Sequence, residues 1–70
     1  MPLSKARPGY SGQIKAVNGN EKMRKFLFTL GCSEGEEVTL ISVLAGNYII
    51  NVKDSRYAID RNIAKAIELI

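Results

Sequence analysis

The residues that decide the fold are Val38-Thr39-Leu40-Ile41-Ser42-Val43-Leu44-Ala45-Gly46-Asn47-Tyr48-Ile49-Ile50-Asn51-Val52. A largely β-branched and apolar run over 38–44 is interrupted at 45–47 and answered by a second run over 48–52. Gly46-Asn47 is a two-residue hairpin signal, so the runs are expected to pair as antiparallel strands. Alternation puts Tyr48, Ile50 and Val52 on one face. On the other, Ile41, Val43 and Ile49 are expected to leave apolar area outside the sheet, a surface available for self-association.

Toward the C-terminus, Asp54-Ser55 reads as a second turn and 56–60 as a third meander strand with Tyr57 and Ile59 inward. Residues 61–65 suggest a single helical or 3₁₀ turn. Residues 66–70 alternate again and are expected to return to the sheet, beside the first strand. That first strand is Gln13-Ile14-Lys15-Ala16-Val17, entered through Pro8-Gly9 and Gly12.

Between the first strand and the central hairpin lies the clearest periodicity in the chain. Met23, Phe26, Leu27 and Leu30 recur at i, i+3, i+4 and i+7, one face of a helix over 21–30. Asn18 and Asn20 compete as its N-cap, Asn18 with Glu21 at capping-box spacing. Gly31 supplies a C′ residue for which positive φ is cheap. A helix of about three turns is too short to stand alone and must dock its apolar face. Five short strands and one docked helix suggest a mainly β fold, a small, partly open β-barrel. In that barrel Met23, Phe26, Leu27 and Leu30 would plug one end.

Composition narrows the function. The 70 residues are 46% hydrophobic and 24% charged, the balance of one small globular domain. No apolar run approaches the roughly 20 residues that span a bilayer, and the segment Met1-Pro2-Leu3-Ser4-Lys5 has no apolar signal-peptide core. With no histidine and one cysteine there is no internal disulfide, no Cys/His zinc site and no Ser-His or Cys-His dyad. Gly9-Tyr10-Ser11-Gly12 lacks the lysine and following helix of a phosphate-binding loop. No catalysis, cofactor or metal site is therefore expected. Ten Lys/Arg against seven Asp/Glu give a net charge of +3, scattered rather than gathered into a stripe. Nucleic-acid binding stays open as an alternative only through Tyr10, Tyr48 and Tyr57 with Lys53 and Arg56, and two of those tyrosines fall on inward faces.

Four pieces in order resemble the FeoA family, small SH3-like-barrel proteins of bacterial ferrous iron uptake. They are Leu3-Ser4 with Pro8-Gly9, Gly12 and Ile14; Arg24, Leu27, Leu30-Gly31 and Gly35; Gly46-Asn47; and Ala58-Ile59 with Arg61, Ala64 and Ile67. The chain departs from the pattern at Glu34 and Tyr48, where the family commonly has proline, and at Cys32, where it has Leu or Met. The resemblance implies a cytoplasmic accessory protein of iron transport that docks on FeoB, a membrane transporter with a cytoplasmic GTP-binding domain, and biases its state. The same domain also ends metal-dependent repressors, where it is an interaction module, so a free-standing interaction module is the other alternative beside a nucleic-acid-binding barrel.

Three residues are candidate partner contacts. Phe28 lies about 140° round the helix from Met23, away from the apolar stripe, so it is either a partner anchor or covered by the barrel wall or the N-terminal segment. Arg24 can pair with a partner's carboxylate or merely occupy the solvated face with Lys25. Arg61, just past a strand, can meet a partner, but its fork suits the carbonyls of a chain corner better. The helix exit over 31–37 completes the expected interface. Cys32, after a helix C-terminus, is expected to be an unreactive buried filler. Glu34, Glu36 and Glu37 suit an exposed acidic loop better than a weak Fe²⁺ site.

Overall fold

A computed structural model describes all residues, 1–70. Five antiparallel strands form one unclosed sheet in the order β4-β3-β2-β1-β5: β1 Ser11–Val17, β2 Glu37–Leu44, β3 Asn47–Val52, β4 Ser55–Asp60 and β5 Ile67–Leu69. Helix α1, Glu21–Leu30, joins β1 to β2, and the short α2, Arg61–Ala66, joins β4 to β5. No helix is long and apolar enough to cross a membrane. The expected fold class and order of elements are therefore observed.

β1 makes the barrel-like curl. Its first half pairs with β2 (Ser11–Thr39 to Gln13–Glu37), and its second half pairs with β5 (Ile14–Leu69 to Val17–Ile67), with an irregularity between Ile14 and Ala16. A strand that changes partner at a bulge bends the sheet over its own core. Inside lie Leu3, Ile14, Leu27, Val38, Leu40, Ile50 and Ile67, all fully buried, and no charged or polar side chain joins them. Leu3 gets there through a 3₁₀ turn, Leu3–Lys5, that the sequence reading did not anticipate.

Both tight turns sit one residue earlier than expected. The first loop is Ala45-Gly46 (φ 49° and 82°), between the pair Leu44–Asn47, rather than Gly46-Asn47. The second is Lys53-Asp54 (φ 50° and 62°), between Val52 and Ser55, rather than Asp54-Ser55. Positive φ at both central residues is what a right-twisted two-residue hairpin demands. A further shift in β2, between Leu40 and Ser42, sets Ser42 opposite Ile49 and Val43 opposite Tyr48. Since a one-residue slip exchanges faces, Val43 leaves the outer row where it was expected with Ile41 and Ile49. Leu44, on the same face as Ser42 and 62% exposed, takes its place, and Val43 itself stays 40% exposed.

Helix α1 begins and ends as its sequence directs. Of the two candidate caps, Asn20 is the one used, its side chain accepting from the Met23 N–H at 2.8 Å. At the other end Gly31 takes φ 98°, the Gly31 N–H donates to Phe28 O at 3.0 Å and the Cys32 N–H to Leu27 O at 2.9 Å. That double closure is a Schellman motif, with Cys32 and Leu27 as its apolar pair, both in the core. The helix does not plug the barrel with four residues. Leu27 alone is fully buried, Met23 and Leu30 are half-buried, and Phe26 stays 46% exposed. With ten residues and one fully buried anchor, α1 lies along the barrel rather than in it.

Candidate functional site

The outer side of α1 forms one wall of a surface groove of about 580 Å³, closed by the end of β1 and by the loop leaving the helix. Its apolar lining is Val17, Phe28 and Cys32, and Arg24, Glu21 and Glu34 stand around it. Phe28 is 72% exposed, so neither the barrel wall nor the N-terminal segment covers it. A ring this exposed on a helix end fixed by a Schellman closure is presented with little freedom of the backbone beneath it. Burying such a ring against a partner gains about 1.5–3 kcal/mol from the apolar area alone.

Arg24 is not free on a solvated face. Its Nη1 donates to the carbonyl of Gly19 at 2.6 Å and so ties the helix back to the turn before it. The remaining donors of the guanidinium border the groove, where a carboxylate can still meet them. Beside it, Lys25 and Glu21 form an exposed i,i+4 ion pair at 3.2 Å. The groove rim thus carries both signs, with Glu34 the acid that no internal cation holds.

Arg61 lies outside this groove, at the first position of α2. Its guanidinium makes no hydrogen bond or salt bridge, so the corner-bracing role favoured from its fork geometry is not observed. The corner is braced instead by Asp60, whose side chain accepts from the Ile63 N–H at 2.8 Å. Arg24 and Phe28 are therefore brought together, and Arg61 is not brought to them.

The exit loop is divided between structure and groove. Cys32, Ser33 and Glu34 line the groove, whereas Glu36 is held by Lys53 at 3.2 Å, and Gly31 lies beneath the Lys53 side chain. The three glutamates do not converge, and no cluster of three Asp, Glu, Cys or His is placed to hold a metal ion. Cys32 is buried at the groove floor. Burial first, and then the nearby Glu36 carboxylate, push its thiol up to about 11. A thiol held protonated in this way is a poor nucleophile.

A second, smaller groove of about 300 Å³ lies on the other flank of α1, lined by Met23, Phe26 and Ile63. The helical stripe predicts a core position for Phe26, and i, i+3, i+4 spacing alone carries no signal of its 46% exposure. Tyr48 is withdrawn from any stacking surface: it is buried, and its hydroxyl donates to Ser4 O at 3.1 Å.

The comparisons with known proteins agree with the fold and name a family. No curated protein sequence matches the chain. Among solved structures, the crystal structure of the iron uptake regulatory protein FeoA is 28% identical with a TM-score of 0.91, covering 99% of this chain and 92% of that one. FeoA of Stenotrophomonas maltophilia, a prokaryotic SH3 domain protein solved with zinc, is 24% identical with a TM-score of 0.88, covering 100% and 89%. A manganese-dependent transcriptional repressor shares the fold at 16% identity and TM-score 0.91, but this chain covers 40% of it. The FeoA domain family model matches residues 1–70, the whole of the sequence. The protein therefore belongs to the FeoA domain family, a membership that implies a role in ferrous iron transport.

Proposed function

We propose that this protein is a non-enzymatic, cytoplasmic accessory factor of ferrous iron uptake that acts by docking on a FeoB-type membrane GTPase transporter. The observation that carries the reading is Phe28: a large aromatic side chain, 72% exposed, over a groove bordered by Arg24 and Glu34. An exposed aromatic with arginine at its side is the composition of a binding hot spot. The groove is lined by no set of groups suited to bond-making chemistry, and its one nucleophile, Cys32, is buried with a raised pKa. A docking surface is the use that remains for it.

In this reading Phe28 enters an apolar pocket on the transporter's cytoplasmic GTP-binding domain, and the mixed charges of the rim set the orientation. Calorimetric titration of this protein into that domain, with and without a GTP analogue, tests it. Binding whose affinity changes with nucleotide supports a regulator that reads the switch state. Absence of heat in both nucleotide states, with the isolated domain and with the intact transporter in detergent, refutes it.

A further inference from the structure

The two edges of the open sheet are treated differently. At the β5 edge the strand is only three residues long, and the N-terminal segment covers it: Pro2 bridges Glu68, and the Met1 ammonium meets the Glu68 carboxylate at 2.7 Å and Leu69 O at 2.8 Å. At the β4 edge nothing comparable is present. β4 is six residues long, pairs with β3 in uninterrupted register, and contains no proline, glycine or bulge. A regular, unpaired edge offers its free N–H and C=O groups to a further strand, and charged side chains on it admit only a partner whose charges complement them.

The phase of the ladder shows which groups are on offer. Val52 and Ser55 flank a two-residue loop, so they are a hydrogen-bonded pair, and alternation directs the N–H and C=O of Arg56 and Ala58 away from β3. No backbone hydrogen bond outside the β3 ladder reaches either residue. Their side chains and that of Asp60 are exposed on the outer face, and Arg56 has no acid within its own chain. Asp60 uses one carboxylate oxygen to cap α2, leaving the other free.

From this we infer that β4 is a self-recognition edge, at which two copies of the chain pair antiparallel about a two-fold axis through Ala58. The register follows from the ladder phase: Ala58 faces Ala58 of the second copy as a hydrogen-bonded pair. Arg56 then faces Asp60 of the second copy, and Asp60 faces its Arg56. One symmetric register thus satisfies the free backbone groups and both unpaired charges. Alanine at the axis lets the strands approach. Ile49, which is opposite Ala58 on β3, extends an apolar row to either side of the axis. The joined sheet has ten strands, and its remaining outer edges are the two covered β5 edges. Neither Arg56 nor Ala58 lines the Phe28 groove, so this association is independent of the docking function.

Sedimentation equilibrium from micromolar to millimolar chain is the test, with circular dichroism as the control for folding. The wild type is expected to dimerise with concentration. Ala58→Pro removes an outward N–H and no intrachain ladder bond, and should be a folded monomer. Arg56→Glu puts like charges opposite Asp60 and should raise the dissociation constant about tenfold or more. Under oxidation Ala58→Cys should cross-link to itself, because hydrogen-bonded pairs hold Cα atoms about 5.5 Å apart, within disulfide range. Arg56→Cys should not, because its copies lie about 13 Å apart along the strand. A wild type monomeric throughout, a dimer indifferent to Ala58→Pro and Arg56→Glu, or equal cross-linking by the two cysteine variants would overturn the inference.

Discussion

Lys53 lies across Gly31: a Cβ built on the glycine would come within 2.8 Å of the lysine Cδ, and the ammonium runs on to Glu36 at 3.2 Å. The lysine reaches that position from a left-handed backbone at the β3–β4 turn, so the turn and the helix exit are locked together by one side chain. Gly31→Ala must therefore bear both a left-handed alanine at φ 98° and a contact with Lys53. The expected loss of stability is about 1–2 kcal/mol by urea unfolding. Adding Lys53→Ala should return only the steric part, leaving the backbone part in place.

Leu27 is the one fully buried residue of α1, so it carries most of the helix's attachment to the barrel. Leu27→Ala should cost about 2–5 kcal/mol. Hydrogen exchange should show the α1 amides losing protection before those of the β2–β3 hairpin. Phe26→Ala, in spite of the same helical stripe, should cost much less, because Phe26 is 46% exposed.

The elevated Cys32 thiol gives stability a signature in alkaline solution. Its pKa is about 11 in the folded chain against an ordinary 9.0, so the folded state holds the proton more tightly than the unfolded one. That contribution is complete below pH 9.0 and is lost as pH rises to about 11. At 1.36 kcal/mol per unit it amounts to about 2–3 kcal/mol. Denaturant titrations of wild type and Cys32→Ala should converge over this interval, with the variant the flatter of the two.

The bond from Arg24 to Gly19 O at 2.6 Å gives that residue a structural share as well as a place at the groove. Arg24→Ala should lower stability by about 0.5–1.5 kcal/mol. A larger effect on partner binding than on unfolding would separate the two roles.

How much of this was legible in the sequence differs by element. Helix α1 was read to the residue because three local signals coincide: the stripe from Met23 to Leu30, an asparagine cap and Gly31. The strands were placed to within a residue or two by β-branched runs between turn residues. The hairpin loops shifted because Ala45 and Lys53 adopt positive φ that their own side chains disfavour, and strand register overrides local preference there. The face change of Val43 follows from a bulge that has no glycine to announce it. The helical wheel set Phe28 off the apolar stripe but could not say whether the barrel wall or the N-terminal segment covers it, since that depends on tertiary packing. The groove was not, because Val17 and the exit loop meet α1 only through tertiary folding. Arg24 looked like surface because its partner is a backbone carbonyl, which leaves no trace in sequence.

The docking claim rests on Phe28, and calorimetry of wild type and Phe28→Asp against the transporter's GTP-binding domain tests it most directly. At 72% exposure the substitution should change unfolding stability by no more than about 1 kcal/mol, chiefly through a carboxylate in the last turn of α1. The account predicts measurable binding by wild type and a loss of about 2 kcal/mol or more in the variant, roughly thirtyfold in affinity. A variant that binds as tightly as wild type while remaining folded would contradict it.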